Sequence, residues 1–296
     1  MKSIGYYPGC ALACSGIELD LSIRALSRLA GVELREVEDW NCCGASSAHS
    51  TGHELAVALP YRVLALAEAQ GQTELLAPCA SCFSRLKGTL VRLRRNPEML
   101  EKMAGLTGRP CRNSVSVVNV LEYLSRLLKD GLADKLAAPL KGVKVAAYYG
   151  CLLSRGEGII EGDDPENPTG MEAAIRAAGC EVVPWNFATE CCGGAFSLAK
   201  TEAVVDLSAA ILGDAEKAGA QMIVTGCPMC HSNLDMRQRA VNAVGRGTRP
   251  MPILYLSELL GLAAGIDPKT IGLDRHFTDA MGIAGLSASG LAERSV

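Results

Sequence analysis

The feature that most constrains this chain is a repeated order of cysteines. A single Cys, a Cys-Cys-Gly and a Cys-x-x-Cys occur in that order twice: Cys10, Cys42, Cys43, Cys79 and Cys82, then Cys151, Cys191, Cys192, Cys227 and Cys230. Their surroundings repeat as well. GYYPGC at 5–10 is echoed by AYYGC at 147–151, WNCCGA at 40–45 by ECCGGA at 190–195, and EYLSRLL at 122–128 by LYLSELL at 254–260. The offset is 141 from Cys10 to Cys151, 149 for each member of the Cys-Cys pair and 148 for each member of the Cys-x-x-Cys. The jump of eight falls in GDDPENPTG at 162–170, whose Gly, Pro, Asp and Asn predict a surface loop inserted in the second half only.

A duplicated chain of 296 residues with 49% apolar residues has room for two packed cores. The halves are predicted at 1–140 and 141–296, with the boundary around Ala138-Pro139. Within each half, short apolar runs alternate with longer helical patterns. SIGYY, ELREVE, ELLAPC and SVSVVNV read as strands in the first half, with helices near 17–30, near 54–70 and at EYLSRLL. KVAAYYG, EVVPW, QMIVTGC and PILYL read as strands in the second, with helices at MEAAIRAAG, at about 199–218 and after PILYL. The expected fold is α/β: two pseudo-symmetric halves, each a small, mostly parallel sheet with flanking helices. Cys10, Cys79, Cys151 and Cys227 then fall at the C-terminal ends of strands, the edge where open α/β sheets bind ligands. ASCFSRLKG and PMCHSNLDM read as helix starts, whose free N–H groups favour thiolates.

Composition narrows the chemistry. Lys plus Arg number 29 against 32 Asp plus Glu, a net charge of -3, and the only close grouping of basic residues is Arg92, Arg94 and Arg95, so nucleic acid is excluded as a partner. The N-terminus carries no apolar signal run and no stretch is long enough to span a bilayer, which predicts a cytosolic chain with no membrane span. In that compartment thirteen cysteines serve metal or redox chemistry rather than disulfides. The odd count and the adjacent pairs Cys42-Cys43 and Cys191-Cys192 point the same way, because neighbours bridge only in a strained ring.

Zinc and an ordinary cubane cluster each need four ligands, so a fifth thiolate per half favours a polynuclear iron–sulfur cluster over a zinc staple. Gly44 and Gly193 permit the bend that turns both adjacent cysteines to one site. Cys227-Pro-Met-Cys230-His231 has the form of a covalent haem site, but its first-half counterpart ends in Phe83. His231 is read as a helix-surface residue or as facing the second site. His49 and His53 reach solvent near the first, and the histidines, His276 included, are too scattered for a site of their own. Cys14 is structural or a neighbour of the first cluster, Cys111 and Cys180 are packing residues, and Trp40 and Trp185 shield the sites or pack in the core.

YYPGC at 6–10 and DWNCCGASSAH at 39–49, with the ten-cysteine pattern, resemble the B-subunit family of heterodisulfide reductases, which are cysteine-rich CCG-domain proteins. The resemblance covers nearly the whole chain. It implies two noncubane 4Fe–4S clusters, one held by Cys10, Cys42, Cys43, Cys79 and Cys82 and the other by Cys151, Cys191, Cys192, Cys227 and Cys230. It further implies an oxidoreductase acting on sulfur groups, a disulfide split or formed between the two clusters, and cluster irons rather than side chains as the reacting groups. Expected partners are a ferredoxin-like iron–sulfur subunit of the C type, a flavin subunit of the A type, and a small-molecule or protein-bound disulfide. The Arg92–Arg95 group and residues 261–296, with GLDRHF at 272–277, are candidate docking surfaces. Relatives with the same cysteines act on lactate or glycolate, or in thiol-driven fumarate reductases. Electron relay without an organic substrate and a zinc-stapled structural protein are the alternative functions.

Overall fold

The computed structural model describes residues 2–45, 47–137, 140–155, 159–160 and 163–283. The predicted boundary at Ala138-Pro139 therefore lies outside the described residues. Among those described, eight strands form two four-stranded parallel sheets. The first contains β1 (Lys2–Tyr6), β2 (Val32–Glu36), β3 (Glu74–Leu76) and β4 (Ser116–Val118) in the order β2-β1-β3-β4. The second contains β5 (Lys144–Tyr148), β6 (Glu181–Val182), β7 (Met222–Thr225) and β8 (Ile253–Tyr255) in the order β6-β5-β7-β8.

Parallel neighbours need crossover connections, and helices supply them. In the first half these are α1 (Ile17–Leu29), α2 (His53–Ala69), and α3 (Ala80–Arg95) followed by α4 (Pro97–Thr107), with α5 (Val120–Leu127) closing the half. The second half repeats the scheme with α6 (Gly170–Ala177), α7 (Thr201–Lys217), and α8 (Pro228–Met236) followed by α9 (Gln238–Ala243), and closes with α10 (Leu256–Ala263). The two halves thus share one element order. The strands are apolar because helices cover them: all four residues of β7 are buried. Residues 163–169 form no helix or strand, as GDDPENPTG predicts, and the Asp163 carboxylate closes that loop by accepting from the backbone N–H groups of Thr169 and Gly170.

Two expectations change. Instead of two separate cores, one continuous apolar cluster runs from Ile4 through Val118, Val145 and Leu260 to Ile283, with a small satellite of Val57, Tyr61, Ala65, Leu93 and Met103 under α2 to α4. The cause is a crossed arrangement of helices, in which α1 packs on α10 and α5 packs on α6. The EYLSRLL and LYLSELL echo is also out of register in space. Tyr123 lies inside α5, whereas Tyr255 is the last residue of β8. Matching letters there reflect two different positions.

Two buried hydroxyls pin the junction. Ser22 Oγ of α1 lies 2.7 Å from Ser257 Oγ of α10, and both side chains are sealed from water. Removing Ser22 takes away the partner of the buried Ser257 hydroxyl, a penalty of about 1–3 kcal/mol, whereas Ser22 can still donate to Leu19 O at 3.2 Å when Ser257 is removed. Ser22→Ala is therefore expected to lower the thermal midpoint, and Ser22→Ala with Ser257→Ala to lower it by less than the sum of the two single changes, as read by thermal denaturation of all three variants.

Candidate metal centre

In a sheet of order β2-β1-β3-β4 the chain leaves β1 in one direction and β3 in the other, so a crevice opens beyond their C-terminal ends. Cys10 follows β1 and Cys79 follows β3. Cys151 and Cys227 follow β5 and β7 in the same way. The Cys-Cys pairs arrive from the segments after β2 and β6, and Cys82 and Cys230 come from the first turns of α3 and α8. All ten predicted cysteines thus gather into two sets of five.

Each set has an inner and an outer part. Cys43, Cys79 and Cys82 are buried, as are Cys192, Cys227 and Cys230, while Cys10, Cys42 and Cys191 are exposed and Cys151 is half-buried. The sulfurs lie 3.8 Å apart for Cys10 and Cys42 and 3.4 Å apart for Cys43 and Cys82. The corresponding separations in the second set are 3.9 Å for Cys151 and Cys191 and 3.5 Å for Cys192 and Cys230. Two thiolates on one tetrahedral ion, each at about 2.3 Å, sit about 3.8 Å apart. Two such pairs and a fifth sulfur are more than one zinc ion uses, so the donor set fits a polynuclear group.

Small residues make the convergence possible. Gly9 and Gly150 have φ of +64° and +63°, and a Cβ on either would stand 2.9 Å from Cys82 Sγ or Cys230 Sγ. Gly44 and Gly193, at φ of +72° and +76°, turn the chain after each pair, and their N–H groups donate to Cys42 Sγ at 3.4 Å and Cys191 Sγ at 3.3 Å. Tyrosines that the motif carries, but whose role its spacing does not disclose, clamp the same turns. Tyr7 Oη donates to Asn41 O at 2.8 Å, and Tyr148 Oη donates to Glu190 O at 2.7 Å, each on the residue before a Cys-Cys pair. Trp40 packs edge-on against Tyr7, and Trp185 is tilted on Tyr148 while its indole donates to Ala147 O. The two tryptophans therefore brace the clamp.

Electrostatics inside each set favour a bound cation. The Cys43 thiol is pulled down to about 7 by the Cys82 thiol, against burial, with help from the Ala45 backbone and Arg85. Cys192 falls to about 7 through Cys230 and then, against burial, through Asn233, whose amide lies 3.6 Å from the sulfur and is oriented by Ser197. Cys82 and Cys230 are pushed up by those same neighbours, and burial raises Cys10 to about 11 and Cys151 to about 12. Cys79 is pulled down by the Cys82 thiol and then, against burial, by N–H groups at the start of α3. Sulfurs this close cannot all ionise beside one another; bound cations remove that conflict.

The remaining predicted residues fall elsewhere. Cys14 is exposed and, among the described residues, has no sulfur within bonding range. Cys180 is buried and Cys111 packs in the satellite core, as expected. His49 and His53 are exposed and meet Arg85 and Arg92. His231 departs from both readings. It is buried, its Nε2 lies 2.9 Å from Ile253 O, and its ring stacks on Tyr255, because α8 turns that face inward against β8. GLDRHF is only partly available as a docking surface: Gly272, Leu273 and the His276 side chain are buried, while Asp274, Arg275 and Phe277 are exposed. Residues 284–296 of the proposed docking segment lie outside the described residues.

The model of the CCG cysteine-rich domain matches residues 4–87 and 145–235, once in each half. The chain belongs to the CCG cysteine-rich domain family. Full-length relatives of this CCG protein include the 8-methylmenaquinol:fumarate reductase membrane anchor subunit of Wolinella succinogenes, 32% identical over 94% of this chain and 98% of the relative. The B subunit of the ferredoxin/F420H2-dependent CoB-CoM heterodisulfide reductase of Methanosarcina acetivorans is 25% identical over 93% and 94%. A protein of Archaeoglobus profundus that is named as similar to the heterodisulfide reductase B subunit is 26% identical over 92% and 93%. The resemblance read from YYPGC and DWNCCGASSAH is thereby established. The crystal structure of a hypothetical protein from Helicobacter pylori shares the fold with a TM-score of 0.76 at 13% identity, over 94% of the CCG chain and about half (52%) of its own.

The two glycines under the inner sulfurs generate a paired prediction. Gly9→Ala is expected to remove the metal of the first set and spare the second, and Gly150→Ala to do the converse. Metal analysis of each variant should find about half the wild-type content, and their spectra should differ.

Proposed function

We propose that each five-cysteine set holds one iron–sulfur cluster and that this chain is a subunit of an oxidoreductase complex, exchanging the electron pair of an organic couple with a one-electron chain. The observation that carries this reading is the layered geometry of both sets, with three sulfurs buried and an outer pair open to a reactant. The ligands would be Cys10, Cys42, Cys43, Cys79 and Cys82 in one set and Cys151, Cys191, Cys192, Cys227 and Cys230 in the other. Likeness to the heterodisulfide reductase B subunit supports the noncubane 4Fe–4S form. Such a cluster would supply single electrons at a potential tuned by surrounding hydrogen bonds and solvent exposure.

A disulfide is the first candidate for the organic couple. Its reduction takes two electrons and two protons, breaks one S–S bond and forms two thiols, and the reverse reaction oxidises two thiols. Two clusters at adjoining edges match that count. The two edges do adjoin: a Cβ on Gly16, in the first half, would stand 3.1 Å from Pro228 Cβ, beside Cys227. The chain's own residues hold the sulfurs, orient them through Gly44, Gly193 and Asn233, and screen them with Tyr7, Trp40, Tyr148 and Trp185. A ferredoxin-like iron–sulfur subunit and a flavin subunit are the partners that this reading requires.

A second reading, a quinol as electron donor, is favoured by the name of the Wolinella relative and by an apolar rim on the second set. Phe196 is 46% exposed and Leu198 is 99% exposed, directly after Cys191-Cys192, where the first set has the polar turn Ala48–Thr51. No helix among the described residues is long and apolar enough to cross a membrane, so contact with a membrane-borne quinol would come from such a surface. Localisation at the cytoplasmic side fits both readings.

Iron and acid-labile sulfide analysis of anaerobically purified protein tests the clusters, with about eight of each per chain expected for two four-iron groups. Zinc without sulfide would reduce the chain to a structural protein. Paramagnetic resonance after oxidation, with a disulfide or with a menaquinone analogue, then separates the couples; no response to either leaves electron relay. Leu198→Glu is expected to abolish a quinone-induced signal while sparing a disulfide-induced one.

A further inference from the structure

The cysteine sets use none of the four histidines, yet two of these meet in the interior. His231 lies on α8 and is 6% exposed; His276 follows α10 and its side chain is fully buried. Their rings are edge-to-face at 4.7 Å. Asp235, one turn beyond His231 on the same helix, is 2% exposed. Ligand atoms of these three residues all lie within 4.8 Å of one another.

The surrounding hydrogen bonds are those of metal-bound histidines. A ring nitrogen that meets a backbone carbonyl or a carboxylate carries the proton, which leaves the other nitrogen as a lone pair. His231 Nε2 meets Ile253 O at 2.9 Å, and His276 Nε2 meets Glu258 Oε1 at 2.9 Å. His276 Nδ1 is thereby freed, and it is buried with no hydrogen-bond partner. Asp235 is held in place by the backbone N–H groups of Phe277 at 2.7 Å and Thr278 at 2.9 Å.

Charge points the same way. Asp235, Glu258 and Glu18 bring three carboxylates into one buried region, and Glu18 Oε2 has no partner there. Arg275, whose charge reaches Glu18, is itself exposed. Buried carboxylates in such excess need a counter-charge or protons.

From these observations we infer that His231, Asp235 and His276 form a mononuclear site for a divalent transition-metal ion, separate from both cysteine sets. Two imidazole nitrogens and one carboxylate oxygen are the donors zinc accepts, with a fourth position left for water. The ion would tie residues 275–278 to α8, the helix whose first turn carries Cys230.

Metal analysis of the anaerobic, iron-loaded protein tests this independently of the clusters. About one zinc per chain is expected beside the iron, and Asp235→Asn and His276→Gln should each lose the zinc while keeping the iron. X-ray absorption at the zinc edge of the unaltered protein should show only nitrogen and oxygen neighbours, at about 2.0–2.1 Å. This measurement stands even if the variants misfold. Absence of zinc, sulfur neighbours around it, or zinc retained in both variants overturns the site; failure of the cluster reading would appear instead as missing iron.

Discussion

The rest of the molecule is arranged around the crowding of five sulfurs at the end of each sheet. Thiols at 3.4–3.9 Å resist ionising together, yet metal binding needs them ionised. The backbone turns that bring them there include left-handed glycines, two of them with no room for a side chain beside the inner sulfurs. Such a centre gains little from the fold alone and much from a bound cation, so metal binding and local order are coupled. The tyrosine clamps and the starts of α3 and α8 hold the donors in place so that less rearrangement is needed when the cation enters.

Much of this was legible because duplication preserves spacing. The strands that end before Cys10, Cys79, Cys151 and Cys227 were readable as apolar runs, and the ten cysteines were readable as sets because their order repeats. What could not be read was made by contacts between distant segments. His231 looks like a surface residue on PMCHSNLDM, and only the packing of α8 against β8 turns it inward. His276 looks isolated until the segment after α10 folds back onto Asp235. EYLSRLL and LYLSELL look equivalent, but one lies within a helix and the other begins in a strand. Letter similarity there had no geometric meaning. The helices Pro97–Thr107 and Gln238–Ala243 went unread, since each directly continues a preceding helix across a short break.

The single core has a further consequence. Because α1 packs on α10 and α5 packs on α6, neither half buries its apolar faces without the other, and the two sulfur sets are held at a fixed relation by the same helices. A duplicated domain that merely sat beside its copy on a linker would leave that relation loose. Under the proposed function an electron pair would be divided between the two sets, and the crossed helices would hold them in relation from the apolar core rather than at the exposed sulfurs.

Beyond the shared fold, side-chain symmetry is kept most closely around the sulfurs. At the offset of the Cys-x-x-Cys, His231 replaces Phe83 and Asp235 replaces Lys87, so the His231 and Asp235 pair has no counterpart on the matching helix of the first half. The rims differ too: His49 and His53 meet arginines beside the first set, whereas Phe196 and Leu198 stand out beside the second. The crowded glycines and tyrosines match across the halves, as the left-handed φ and the Cβ clashes at Gly44 and Gly193 demand, and the differences lie at the rims and on the inner face of α8. The two sulfur sets are therefore built alike, while the residues around them differ.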